Sequence, residues 1–301
     1  MNLESLLQRL RPGRAGSPAR QRALLVVALI AFVAMTAIAI INFPDDLDPN
    51  PRWWLLAIVA VFGPLITVTM NGLEYVQQGR LVGRRIALGD AVRVSVLGTA
   101  ANLAPVPGSV IVRTSALAAD EVGVKRAAAT TATVGLGWLG ASALAAGVLQ
   151  PFADRVALGL LLVVAGLAAL GTTFVLVRRA SPADGSVGVF GAIVLVELGT
   201  VVVGALRLTG FVYGLGLDIT ASQAVGLTLA GVIASATGVF PAGLGIREGL
   251  IALASPVLDL PVAVGLVAAA ADRIAGLAML AILTTVLVAR RDRSSSRPHR
   301  S

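Results

Sequence analysis

Phe240-Pro-Ala-Gly-Leu-Gly-Ile-Arg-Glu-Gly249 interrupts an otherwise apolar run with a Pro/Gly break and sets Arg247 beside Glu248. Lipid offers no partner to a loose backbone N-H or C=O, so a membrane helix breaks only where protein or a wet cavity covers the ends. An adjacent Arg-Glu pair is costly in the same surroundings. The stretch predicts a broken membrane helix that does work.

A second break lies 134 residues earlier, where Pro107-Gly-Ser-Val-Ile-Val-Arg113 repeats the step from Pro241 to Arg247, six residues from Pro to Arg in both. Ala91-Val92 and Ala224-Val225 open comparable segments of small residues, each running into its own break. Two matched, interrupted apolar segments are the pattern of a transporter built from an inverted repeat, with the substrate site between the breaks.

The 301 residues are 56% hydrophobic and only 13% charged, which excludes an ordinary water-soluble domain and predicts an all-α integral membrane protein. The span count leaves no room for a sizeable soluble domain, so a catalytic head is expected on another chain. Cysteine is absent and the single histidine, His299, lies in a polar tail. Thiol chemistry, disulfides and His/Cys metal sites are therefore excluded, and no cofactor, metal or catalytic residue is expected. The net charge of +8 does not imply nucleic acid, because the arginines sit in short loops and tails beside apolar spans, as the positive-inside rule requires.

Arg9, Arg11, Arg14, Arg20 and Arg22 fill a polar segment, residues 1–22, ahead of an apolar run at residues 23–41. That run is long enough to span and predicts an uncleaved first helix with a cytoplasmic N-terminus. The membrane domain covers residues 23–289, and the basic tail at 290–301 is cytoplasmic. In the second helix Thr67, Asn71, Glu74 and Gln78 share one face; Glu74 and Gln78 read equally well as a polar end at the interface or as substrate-facing. The apolar arms within residues 88–120 and 219–256 predict two re-entrant hairpins alongside about six spans, with eight full spans as the alternative. The hairpins would face each other from opposite leaflets of the cytoplasmic membrane.

A helix that restarts after Pro-Gly presents unpaired N-H groups and the positive end of its dipole, a place for an anion. Arg113 and Arg247 would add full charges there, suiting a phosphate headgroup. Glu248 either holds Arg247 or meets a cationic group. An internal ion pair fixing the hairpin is the competing reading. Asp272 and Arg273 in the last helix invite the same comparison, Glu197 is a candidate partner for Arg273 or Arg247, and Arg207 reads as snorkelling to the outer surface.

Pro241-Ala-Gly-Leu-Gly-Ile-Arg-Glu248 resembles the Pro-x-Gly-x-Gly-x-x-Glu signature of the lysylphosphatidylglycerol synthase transmembrane-region, or flippase-like, family. Asn102 to Arg113 resembles that family's earlier Asn-x-x-x-Pro…Arg element. By that resemblance Pro241, Gly243, Gly245 and Glu248 match the motif and Arg113 matches the earlier arginine; with Asn102, Pro107, Gly108 and Arg247 of the two breaks, and Glu197, Asp272 and Arg273, they form the expected substrate-binding set. Ser109-Val110 stand where family members often carry a Gly-acidic pair, which argues against a preference for cationic headgroups. Without the synthase domain, no enzyme activity is implied.

The expected function is translocation of an anionic, aminoacylated or polyprenyl-linked lipid. The alternatives are an ion-coupled transporter of a small solute, and a non-transporting accessory subunit of a glycosyltransferase or lipid synthase. Partners are then membrane lipids and a separate lipid-modifying enzyme or glycosyltransferase, with homo-oligomers compatible and nucleic acid excluded.

Overall fold

A computed structural model of the chain describes residues 51–102, 108–118, 122–180, 185–237 and 245–295, together with Ala37 and Ile41. Helix fills nearly all of it: α1 (Trp53–Leu81), α2 (Leu88–Ala101), α3 (Gly108–Leu117), α4 (Val124–Leu149), α5 (Val156–Ala180), α6 (Ser186–Gly214), α7 (Ala221–Thr237), α8 (Ile246–Val257) and α9 (Val262–Ser295). Among the described residues five helices, α1, α4, α5, α6 and α9, are long and apolar enough to cross a membrane. At ~1.5 Å per residue even 25 residues reach beyond the ~30 Å hydrocarbon core. The all-helical composition and the rows of exposed Leu, Val, Ile and Phe on α1, α5 and α6 are those of an α-helical membrane protein. The N-terminal segment, most of the first apolar run, Pro107, Pro241 and Gly243 lie outside the described residues.

Both expected breaks separate short helices. Arms α2 and α3 have 14 and 10 residues, and α7 and α8 have 17 and 12. Each pair packs antiparallel. A Cβ on Gly98 would lie 3.2 Å from Ser109 Oγ, and one on Gly108 only 2.1 Å from the Ala101 carbonyl oxygen, so the first pair closes backbone to backbone near its break. In the second pair Gly226 meets Leu258 and Gly231 meets Arg247. The open ends are latched in the same way. Arg84 reaches the terminal carbonyls of α3 at Ala116 and Leu117, and the Gln223 amide donates to those of Leu258 and Asp259 just past α8, so side chains satisfy carbonyls a helix end leaves bare.

The packing falls into two matching sets once α5 is set aside. α1 packs on α2, α2 on α3 and α3 on α4; α6 packs on α7, α7 on α8 and α8 on α9. Across the sets α4 meets α6 and α7, while α9 meets α1 and α2. Between the sets α1 and α6 run antiparallel: the Arg52 N-H donates to the Gly214 carbonyl at 2.8 Å, Gly210 faces Val59, and Gly63 faces the Arg207 stem. Small residues allow this approach. A second backbone-to-backbone seam joins α4 and α5, where a Cβ on Gly147 or Gly166 would fall 2.6 Å from the backbone nitrogen of Val163 or Leu144.

Candidate functional site

The polar stripe of α1 connects two buried clusters of charge. Toward its C-terminal end Arg113, from α3, donates through Nη1 to Glu74 Oε1 at 2.6 Å, and Gln78 Nε2 donates to the same oxygen at 3.0 Å. Glu197, from α6, is 1% exposed and lies within electrostatic reach of both Glu74 and Arg113. The antiparallel register accounts for this, because Gly199 stands against Met70 and so brings Glu197 level with the Glu74 turn. Two carboxylates and one guanidinium therefore share this level of the fold.

One stripe residue, Thr67, belongs to the second cluster, about two turns from Glu74. Its hydroxyl accepts from Arg207 Nη1 at 2.7 Å while donating back to the Gly63 carbonyl. Arg207 Nη2 lies 2.5 Å from Asp272 Oδ1, and Arg247 Nη2 lies 2.7 Å from Asp272 Oδ2. Here one carboxylate serves two guanidiniums. Beside it Arg273 bonds Glu248 Oε1 through Nε at 3.2 Å and Nη2 at 3.1 Å. Arg247-Glu248 on α8 and Asp272-Arg273 on α9 are therefore complementary dipeptides that tie the two helices by crossed ion pairs.

The sequence predicts open N-H groups at both restarts, and at each the structure shows one of them taken. Asn102 Oδ1 accepts from the Ser109 N-H at 2.6 Å, capping the start of α3. Glu248 Oε2 accepts from the Gly245 N-H at 2.8 Å, a capping box in which the acid three residues into the helix reaches back to its cap. Gly245, at φ +81°, is the residue type that turn needs. Both restarts thus spend part of their donor capacity on the protein itself. The equal Pro-to-Arg spacing also does not give equal helical positions: Arg113 is well inside α3, whereas Arg247 is in the first turn of α8.

Of the expected site residues, Arg247, Glu248, Asp272, Arg273 and Gly245 come together around α8. Asn102, Gly108 and Arg113 belong to the first break with Glu197, which joins Glu74 and Arg113 rather than the predicted Arg273 or Arg247. Arg207 does not snorkel; it is buried in the second cluster. Sequence reading left Arg207 and Thr67 out of the site. Their available signal was an arginine inside an apolar run and a stripe that began about two turns before Glu74.

Several buried polar atoms have no hydrogen-bond partner among the described residues, including Glu197 Oε1, Arg113 Nε, Gln78 Oε1, Arg207 Nε and Arg247 Nε. Native interiors leave few such atoms unless water or a ligand visits them. No group of three or more His, Cys, Asp or Glu among the described residues could hold a metal.

Fold and site together define an α-helical membrane protein with paired broken helices and two interior charge clusters of opposite excess. No family model matches the chain, and no curated protein matches it.

Proposed function

We propose that the protein is a translocase carrying a lipid with an anionic headgroup across the cytoplasmic membrane. The observation that carries this reading is the Arg207-Asp272-Arg247 triad, in which one carboxylate between two guanidiniums leaves a positive charge to spare inside apolar protein. Both arginine Nε donors have no partner among the described residues. A phosphate would supply the missing negative charge and accept from the planar guanidinium forks. Arg247 is the reachable member, with 25% of its side chain accessible against 12% for Arg207.

The matching packing of the two sets, with α1 and α6 antiparallel, supports an inverted repeat of α1–α4 and α6–α9, with α5 as the connection. Arms of 10 to 17 residues reach roughly 15 to 26 Å, short of the ~30 Å core, which supports re-entrant hairpins over eight full spans. Residues 23–41 then add a sixth span, and the Arg-rich ends put both termini in the cytoplasm. A lipid is preferred to a soluble substrate because Pro241 to Glu248 resembles the flippase-like signature, and membership of that family is part of this proposal.

The test is reconstitution in phosphatidylcholine vesicles carrying a trace of fluorescent phosphatidylglycerol. Label should reach the bleachable outer face faster than in protein-free vesicles, and Arg247→Ala should remove the gain. Absence of transbilayer movement for both fluorescent phosphatidylglycerol and a polyprenyl phosphate would sink the reading. The buried Glu74 and Glu197 favour a second reading, ion-coupled transport of a small anionic solute, which predicts uptake of a soluble organic phosphate and no lipid movement.

A further inference from the structure

Glu197 has no role in the anion site and is the least explained charge in the molecule. It is 1% exposed, its Oε1 has no hydrogen-bond partner among the described residues, and Arg113, a cation whose charge reaches it, is already engaged at 2.6 Å by Glu74. Every element packed against α6 bears on its charge. α1 contributes Glu74, and Arg113 reaches in from α3. α4 brings only Lys125 and Arg126, exposed at its start, and α5 only Arg178 and Arg179, exposed at its end. α7 carries no titratable side chain. From α9, Asp272 faces Arg207 and Arg247, and Arg273 faces Glu248. No cation among the described residues balances the second carboxylate.

Two ionised carboxylates with one guanidinium would leave a net negative charge in a low-dielectric interior, where unpaired charge is costly. One proton on Glu197 removes it. We infer that Glu197, buried in α6 at the level of the Arg113-Glu74 pair, is a proton-binding site that holds one proton in the state shown here and couples its release to transport. The proton comes from water on one side of the membrane. It leaves when Arg113, on the short arm α3, shifts relative to α1 and α6 and lets Glu197 meet water on the other side. Gln78 Oε1 and Thr114 Oγ1, buried without partners among the described residues, supply spare hydrogen-bonding capacity beside Glu74 and Arg113. As coupling, the inference rests on the translocase reading; as a proton site, it stands without it.

Infrared spectroscopy of the full-length protein in phosphatidylethanolamine/phosphatidylglycerol vesicles tests the site itself. A protonated-carboxyl stretch is expected at neutral pH, and it should be lost in Glu197→Gln or displaced in Glu74→Gln. No such band between pH 5 and 9, or a band unchanged in both variants, overturns the inference. The fluorescent phosphatidylglycerol assay tests the coupling. One proton per lipid makes a gradient of one pH unit shift the steady-state distribution between leaflets by up to about tenfold, and Glu197→Gln should equilibrate the lipid without responding to the gradient. Lipid movement in the wild-type protein that ignores the gradient overturns the coupling and leaves the translocase reading intact. The expected band with no lipid movement overturns the translocase reading and leaves the proton site intact. If Glu197→Gln fails to fold, Glu197→Asp and the wild-type spectrum decide, since a shorter acid should move the band without removing it.

Discussion

Arg113 and Arg247 each stand six residues after a proline, yet they answer to carboxylates on opposite sides of their own broken pairs. Arg113 pairs with Glu74 on the helix before its pair, and Arg247 with Asp272 on the helix after. Each short arm is thus anchored by charge to a long helix.

Because Asp272 holds two arginines, Asp272→Asn should be the most damaging single change to the second cluster. It leaves the largely covered Arg207 and the half-buried Arg247 without their shared counter-charge, and breaking a buried pair costs about 3–5 kcal/mol, an upper range here because Arg247 is partly reached by solvent. A fall in the midpoint of thermal unfolding in detergent measures it. Arg207→Gln added to Asp272→Asn should restore part of the loss, with a coupling of roughly 0.5–3 kcal/mol; strictly additive losses would mean that the two side chains do not interact.

The two jobs of Glu248 can be separated. Glu248→Gln keeps an oxygen for the Gly245 N-H and loses the ion pair with Arg273, whereas Glu248→Ala loses both. The alanine variant should be less stable than the glutamine one by about 1 kcal/mol, the usual worth of a cap. Hydrogen exchange at the first amides of α8 should quicken only in the alanine variant.

Gly166→Ala should destabilise by about 1–3 kcal/mol, the usual cost of overpacking, because its Cβ would sit 2.6 Å from the Leu144 backbone nitrogen. Gly171→Ala, on the same helix with nothing within 4 Å of its Cβ, should be neutral or gain up to ~1 kcal/mol of helix propensity. Unfolding midpoints of the two variants settle the comparison, and equal behaviour would argue against the α4–α5 seam.

The chain has no cysteine, so the antiparallel register of α1 and α6 can be read with an introduced pair. A Cβ on Gly210 would lie 3.5 Å from Val59 Cβ, at the near edge of the ~3.5–4.5 Å a disulfide spans. Val59→Cys with Gly210→Cys should cross-link under mild oxidation, detected by mass after alkylation. Val59→Cys with Gly199→Cys should not, because Gly199 lies about three turns from Gly210 along α6.

The span boundaries were legible because apolar run length and arginine-rich punctuation are local signals. Both breaks announced themselves through proline and glycine, and the short arms expected within residues 88–120 and 219–256 are observed as α2 with α3 and α7 with α8. The charge pairings were less legible. Nearness to the end of its own helix made Arg207 look like a surface group, and only the antiparallel register, which stands Gly63 against its stem, carries it inward to Asp272. The same register moved Glu197 away from its predicted partners to Glu74. For Glu74 and Gln78, which read equally well as an interfacial end, burial came from the packing of α3 and α6 on α1, a long-range fact that no periodicity encodes.

Where α4 and α5 meet at Gly147 and Gly166, main chain lies against main chain, so sliding one helix along the other would drive their backbones together and the pair is held as a stiff spar. Any change of shape that spares this spar falls on the shorter levers, α2 with α3 and α7 with α8, whose open ends Arg84 and Gln223 hold.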